Sequence, residues 1–331
     1  MGDSGSTDPS LLLFGAPGGR RDPVRRSQAR WMKWREPGRS AHRPRRVRIG
    51  QMHRKLIVYR SFQKDTAMDL HLNGKTVIVT GASRGIGLAV AQAFAHEGAH
   101  VVAGARHPGK PLEELADSHG LVPVAGDLTT VEGVERLVET AKDRFGGIDV
   151  LVNNVGIVHL RPNGFLSVTD EDFAKTLDAN FFSAVRACRA ALPALLAARG
   201  TIVTISSVNA FYPDPGLIDY TVSKAALTNF SKALSKEVGP QGVRVNTVAP
   251  GPVSTDMWLG ESGLASQAGS AMGVDPDTAR EKLVEGTGGF ATGRFTRPDE
   301  VADLVLLLAS DRAGNITGTD VTIDGGLIKT L

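Results

Sequence analysis

The sequence predicts an α/β protein: a doubly wound, mostly parallel seven-stranded sheet with helices on both faces, built as a single domain. Three observations lead there. From residue 68 onward, short continuous Val/Ile-rich runs alternate with stretches of helical period, and continuous rather than alternating apolar runs are what parallel strands buried on both faces require. A glycine-rich segment, Thr80-Gly81-Ala82-Ser83-Arg84-Gly85-Ile86-Gly87, stands between the first such run and the first helical stretch. The later polar and glycine-rich motifs each fall at the carboxyl end of a predicted strand, where sheets of this kind bind their ligands.

Strands are predicted at 76–80, 100–105, 121–125, 149–153, 201–206, 243–248 and 320–323, and helices at 86–97, 131–145, 172–198, 217–238 and 298–310. Right-handed crossovers follow from the strand–helix–strand alternation. In the first turn, Gly81 and Gly85 permit backbone angles other residues avoid, and Gly87 allows helix and strand to approach closely. The helix N-terminus then offers free N–H groups and partial positive charge to a pyrophosphate. The spacing is Gly-x-x-x-Gly-x-Gly, so a tight turn with no ligand is the competing reading.

The second strand ends in Ala103-Gly104-Ala105-Arg106-His107. Enzymes that use NAD often place a carboxylate here for the ribose hydroxyls; this chain has Arg106, and Arg84 in the glycine turn can point to the same place. Two guanidiniums suit a 2′-phosphate through charge-assisted bonds, so the expected cofactor is NADP, with NAD as the alternative. Asp127, after the third strand, can accept a bond from an adenine amino group or cap the helix near Thr130. The fourth strand ends in Asn153-Asn154-Val155-Gly156. Asparagines there can tie neighbouring strands, and Gly156 leaves room for a ligand against the backbone.

The fifth strand ends in Ser206-Ser207-Val208-Asn209, and Tyr220 and Lys224 follow at i and i+4 on one helix face. A phenol has a reference pKa near ~10, and acid–base work at neutral pH asks for a fall of roughly 3, about 4 kcal/mol. One ammonium about 4 Å away at an effective dielectric near ~20 supplies about that much. Lys224 is therefore expected to activate Tyr220, and the reading requires the hydroxyls of residues 207 and 220 to meet beside the nucleotide seat. Pro250-Gly251-Pro252-Val253-Ser254-Thr255 follows the sixth strand as a turn. Residues 256–294 are Gly- and Ser-rich and read as a long loop over the ligand end, a substrate lid. Trp258, Leu259 and Met272 within it, with Phe211, Tyr212 and Leu217, are expected to line an apolar pocket.

Residues 1–67 differ in character. They hold 13 Arg and 3 Lys against 5 Asp and Glu, hence +11 of the formal net +3, leaving −8 on residues 68–331. With no sustained period, a basic, disordered extension is expected there. A transit peptide, a nucleic-acid- or lipid-binding arm, and a start codon placed before the true one at Met68 are its alternatives. No stretch reads as a membrane span. Cys188 is the single cysteine, which fits a reducing, cytoplasmic setting. No metal site is assigned.

Taken together, Thr80-Gly81-x-x-x-Gly85-Ile86-Gly87, Asn153-Asn154-x-Gly156, Asn180, Ser207, Tyr220-x-x-x-Lys224 and Pro250-Gly251 resemble the short-chain dehydrogenase/reductase family, and within it 3-oxoacyl-carrier-protein reductases and related carbonyl reductases. The likeness runs from about Leu72 to the C-terminus, with Val155 where the family usually has alanine. It implies a Rossmann fold and hydride transfer between NADP(H) and a carbonyl or secondary alcohol. An NAD-dependent dehydrogenase of a sugar, sterol or other alcohol is the alternative, and a nucleotide-sensing protein without turnover is disfavoured by the intact set. The resemblance implies that Tyr220 is the acid–base, that Ser207 bonds the same substrate oxygen, that Lys224 holds the nicotinamide ribose, and that Asn180 holds a water in the proton relay. It assigns Gly81, Ser83, Arg84, Gly85, Ile86, Gly87, Arg106, Asp127, Leu128, Asn153, Gly156, Tyr220, Lys224, Pro250, Gly251, Val253 and Thr255 to the cofactor. Helices 172–198 and 217–238 and the segment 324–331 resemble subunit contacts, implying a homotetramer, or else a dimer; nucleic acid is not an expected partner.

Overall fold

The structure, a computed structural model, describes residues 68–286 and 288–329. The expectations for residues 1–67, and for the last two residues of the chain, lie outside the described residues. Met68–Leu331 is a compact unit.

Seven strands form one sheet: β1 (Thr76–Thr80), β2 (His100–Ala105), β3 (Val122–Ala125), β4 (Val150–Asn153), β5 (Thr201–Ile205), β6 (Arg244–Pro250) and β7 (Asp320–Ile323). The order is β3-β2-β1-β4-β5-β6-β7, and every pairing is parallel. Successive residues of β1 serve opposite faces. Val77 and Val79 join the core under α1 (Gly85–His96), α2 (Gly109–His119) and α10 (Pro298–Ala309). Ile78 joins the core under α3 (Val131–Phe145), α5 (Ser183–Ala198) and α6 (Ile218–Val238). Burying such a side chain contributes roughly 1.5–3 kcal/mol, so a strand apolar at every position holds both layers at once.

The order reverses between β1 and β4, and a crevice opens there beyond the strand ends. Thr80 Oγ1 donates to Val152 O at 3.2 Å and accepts from Asn154 N at 2.9 Å, tying the two strands at that point.

Three differences from the sequence reading matter. α2 was not expected: it buries only Leu112 and Leu115, too few apolar positions for a visible period. Residues 256–294 are not a loop; they carry α7 (Asp256–Leu259), α8 (Leu264–Met272) and α9 (Pro276–Gly286). Local chemistry stops and starts these helices. Gly273 ends α8 in the left-handed region at φ 68°, and Asp275 accepts from Thr278 N at 2.9 Å ahead of Pro276, the first residue of α9. The predicted helix 172–198 is two helices, α4 (Asp170–Leu177) and α5, joined by a π-helical turn, Asp178–Phe182. By length and composition the continuous run Asp170–Ala198 is apolar enough to cross a membrane, contrary to expectation. Its apolar side chains Ala187, Cys188, Ala191 and Leu195 nevertheless pack onto the sheet as core.

Candidate active site

The glycine turn is built for close approach. Gly81 and Gly85 have φ of 67° and 56°. A Cβ on Gly87 would lie 2.3 Å from Gly81 O and 2.4 Å from Asn154 Nδ2, so only glycine fits. Asn154 Nδ2 donates to Thr80 O and Gly81 O at 3.1 and 3.0 Å, which holds the turn in shape. α1 begins directly after it with no side-chain cap and no acidic residue in its first turn. Its first N–H groups are thus left for a ligand.

Two cavities meet at this turn. The first, about 750 Å³, is lined by Gly81, Ser83, Arg84, Gly85, Ile86, Arg106, Asp127, Leu128, Gly156 and Thr255, ten of the positions predicted to hold the cofactor. Arg106, just past β2, stands close enough to Asp127 for its charge to matter. Asp127 is held below the usual carboxylate range first by bonds from Thr129 N and Oγ1, then by Arg106. The helix cap at this point is Thr130, which accepts from Gly133 N at 3.1 Å, so Asp127 is free of that duty and faces the cleft.

The second cavity, about 470 Å³, contains Ser207, Tyr220, Lys224, Pro250, Gly251 and Val253, and shares Ile86, Asn154, Gly156, Thr255 and Met257 with the first. Tyr212, Leu217 and Trp258 line it as expected. Phe211 and Met272 do not; they are exposed. Leu259 lines a separate cleft instead. Asn209, Leu264 and Leu283, which drew no attention in the sequence, do line it. Leu264 and Leu283 lie on α8 and α9, helices too short and Gly-interrupted to show a period.

Ser207 and Tyr220 line the same cavity, and the Ser207 hydroxyl, which donates to Asn209 Oδ1 and accepts from Asn209 N, both at 3.2 Å, is close enough to bear on the phenol. The charge state is a correction. Burial pushes the Tyr220 phenol up, and the bond from Ser207 only partly offsets this. Lys224 packs against the same ring. Its ammonium lies 5.7 Å from the centre of the Tyr220 ring and donates to Ile205 O at 2.9 Å. The lysine is 3 % exposed, and burial brings its own pKa down to about 8. Spacing in sequence correctly put the two on one face; desolvation of both groups decides the direction.

Asn180, Asn153 and Gly87 line neither cavity. Asn180 is fully buried in the π turn. Its Oδ1 accepts from Ile157 N at 2.7 Å, and its Nδ2 donates to Ile157 O and Ser223 Oγ, both at 2.9 Å. Ser223 in turn donates to Tyr220 O at 2.6 Å. Asn153 Nδ2 reaches Thr204 Oγ1 and Cys188 Sγ, both at 3.3 Å, tying β4 to β5 and α5. Asn154, which the sequence reading gave only a strand-tying role, stands in the same motif and touches both cavities. Gly156 packs near the end of Lys224: a Cβ there would be 3.6 Å from Nζ and 3.7 Å from Asn180 Oδ1.

The turn that excludes side chains, the uncapped helix and the two joined cavities together fit a dinucleotide. The family profile described as enoyl-(acyl carrier protein) reductase matches residues 81–328. The 3-oxoacyl-acyl-carrier-protein reductase FabG of Thermotoga maritima is 33 % identical over 264 residues, 78 % of this chain and all of that protein. 3beta-hydroxysteroid dehydrogenase 1 of Eggerthella lenta is 34 % identical over 267 residues, covering 77 % and 94 %. Among solved structures, L-sorbose reductase from Gluconobacter frateurii, complexed with NADPH and L-sorbose, superposes with a TM-score of 0.72 at 35 % identity, covering 80 % of this chain and 100 % of that one.

Proposed function

The chain belongs to the short-chain dehydrogenase/reductase family of NAD(P)-dependent carbonyl and alcohol oxidoreductases, and from that premise we propose that it uses NADP(H) and that Tyr220 handles the substrate proton. The observation that carries this is that Ser207 and Tyr220 line one cavity that adjoins the cavity at the glycine turn. When bound, the nicotinamide supplies or accepts the hydride.

The chain's own residues do the rest. With its pKa raised, Tyr220 is protonated at neutral pH, the form that donates to a carbonyl oxygen as that oxygen gains charge. Ser207 donates to the same oxygen and fixes it. Lys224 uses one N–H on Ile205 O, leaving two for ribose hydroxyls. Its pKa near 8 lets it pass on a proton near neutrality, with Asn180 shaping the backbone of the relay. Arg84 and Arg106, with no carboxylate at the end of β2, support a 2′-phosphate over a bare ribose. Apolar Leu217, Trp258, Leu264 and Leu283 favour a substrate with a hydrophobic body. Homotetramer assembly, or a dimer, is proposed through the helical run 170–198 and α6, where Phe182 of the π turn and Val222 stand exposed, and a cytoplasmic location is consistent with one buried thiol.

The test is a panel of ketones and 3-oxoacyl thioesters followed by loss of NADPH or NADH absorbance, with Tyr220→Phe beside the wild type. NADPH preferred at least 10-fold in kcat/KM and a variant that still binds NADPH but turns over less than 1 % as fast are expected. Preference for NADH removes the arginine argument, and wild-type turnover by the variant removes Tyr220 from the chemistry.

A further inference from the structure

The residue before Tyr220 is a carboxylate, and its side chain is nearly sealed from solvent. Asp219 is 1 % exposed at the side chain and sits in the first turn of α6. Arg161 grips it two-pronged: Nε to Oδ1 at 3.2 Å and Nη2 to Oδ2 at 2.6 Å. The third corner of the guanidinium, Nη1, reaches Asp172 Oδ1 on α4 at 3.1 Å. Thr176 Oγ1 donates to Asp219 Oδ2 at 2.7 Å. Every strong partner a buried carboxylate needs is thus in place, and Asp219 is held in its ionised form despite burial.

Arg161 belongs to the segment after β4 that forms one wall of both cavities through Gly156, Ile157 and Val158. That segment is fastened at several points, Leu160 N donating to Gln267 Oε1 on α8 at 3.1 Å among them. Asn180 takes both the N–H and the C=O of Ile157. Four residues on, Arg161 N donates to Gly216 O at 2.8 Å, just ahead of α6, while its side chain holds Asp219. The wall that would meet the nicotinamide end and the helix turn that carries Tyr220 are therefore joined by a forked, charge-assisted contact, the kind whose geometry is most restrictive.

We propose that Arg161 and Asp219 are positioning residues for the reaction: the pair sets Tyr220 against the 156–161 wall, and so against the bound substrate oxygen. The inference rests on the acid–base role proposed for Tyr220. Transfer of the proton depends on sub-ångström placement of the donor, which a point-like ammonium cannot impose as a fork does.

Arg161→Lys and Arg161→Met are compared with the wild type in NADPH-bound single turnovers, at a temperature where unfolding curves show each variant more than 99 % folded. Binding of NADPH is titrated by fluorescence, and Tyr220→Phe is run alongside. The expected result is hydride transfer slowed at least 10-fold in both arginine variants, with NADPH Kd within 3-fold of wild type. The double variant Arg161→Met/Asp219→Leu, which removes the unpaired buried charge, should regain thermal stability but not rate. Should Arg161→Met lose its fold, Arg161→Lys, which keeps the charge and loses the fork, carries the same test. Wild-type rates in the folded arginine variants, or a rate restored together with stability in the double variant, overturn the inference and reduce the pair to a structural tie. A fully active Tyr220→Phe overturns the acid–base reading itself, and the positioning role with it, which is a separate outcome from active arginine variants beside an inactive Tyr220→Phe.

Discussion

Lys224→Met tests the electrostatics of the site through stability rather than turnover. In the native fold burial brings the Lys224 ammonium from 10.5 down to about 8. The folded chain therefore releases this proton near pH 8, whereas the unfolded chain keeps it until about 10.5. Between those values the unfolded state binds more protons, so this group makes the protein more stable as pH rises. The full difference is worth about 3 kcal/mol at about 1.4 kcal/mol for each pH unit. About 2 kcal/mol of it falls between pH 7 and 10 by the same relation. Methionine fills similar volume, carries no charge and cannot donate to Ile205 O, a loss of roughly 1–3 kcal/mol at every pH. The two effects nearly cancel at pH 7, so the variant should unfold at a denaturant concentration close to that of the wild type there. By pH 10 the wild type should be the more stable by about 2 kcal/mol, because only its penalty has been relieved. Cys188, held by burial at about 12 against an ordinary 9.0, pulls the other way above pH 9 but is common to both chains and drops out of the difference. Equilibrium unfolding in guanidinium chloride at pH 7, 8, 9 and 10 measures it. Stability curves that stay parallel across that range would refute a desolvated lysine, and with it the account of how the site is charged.

Gly87→Ala places a methyl 2.3 Å from Gly81 O; backbone cannot yield there, so calorimetry should show a clear fall in Tm and NADPH titration at least a 10-fold loss of affinity. Arg106→Ala should weaken NADPH by 10- to 100-fold, the worth of one charge-assisted bond of about 1.5–3 kcal/mol, while leaving NADH affinity within about 2-fold; equal losses for both would show that the arginine does not read the 2′-phosphate. Cys188 should resist iodoacetamide in the native protein at pH 8, since its thiol is buried and titrates at about 12, and react once guanidinium unfolds the chain; rapid native labelling, followed by mass spectrometry, would count against this packing.

What could be read from the sequence divides by physical cause. The inner strands β1, β2 and β4 were legible because they are apolar at consecutive positions, a pattern that burial on two faces demands. The glycine-rich turn was legible because glycine is required where a Cβ has no room, as at Gly87. α2 and the helices of residues 256–294 were not, because their stabilisation comes from caps such as Asp275 and Gly273 and from a few contacts rather than from an apolar period. Asn180 lies in a π-helical turn that no apolar period could show. That turn is also what carries its amide to Ile157 and Ser223, in keeping with the tendency of such turns to mark functional sites. The Arg161–Asp219 pair was invisible for a different reason: its partners are 58 positions apart, and no local rule joins them.

The expected charge on Tyr220 failed for an instructive reason. A spacing of four residues guarantees a shared helix face, but the Coulomb argument also has to outweigh the burial of the phenol. Here the lysine turns under the ring toward the Ile205 carbonyl, and the same enclosure that raises the phenol lowers the ammonium. Desolvation acts on both groups in the direction of neutrality, so a neutral phenol is the resting state of the site at physiological pH. That state is a ready acid and a poor base. It favours the reductive half of the proposed reaction, in which Tyr220 gives up its proton as the substrate oxygen becomes an alkoxide. For the oxidative half, the phenol would first have to lose its proton, and only conditions that restore positive charge or solvent around it would make that easy. The pH dependence of the two directions should therefore differ: reduction level through neutrality, and oxidation rising with pH as more of the phenol ionises. Identical profiles in stopped-flow measurements of both directions would place the controlling proton on some other group.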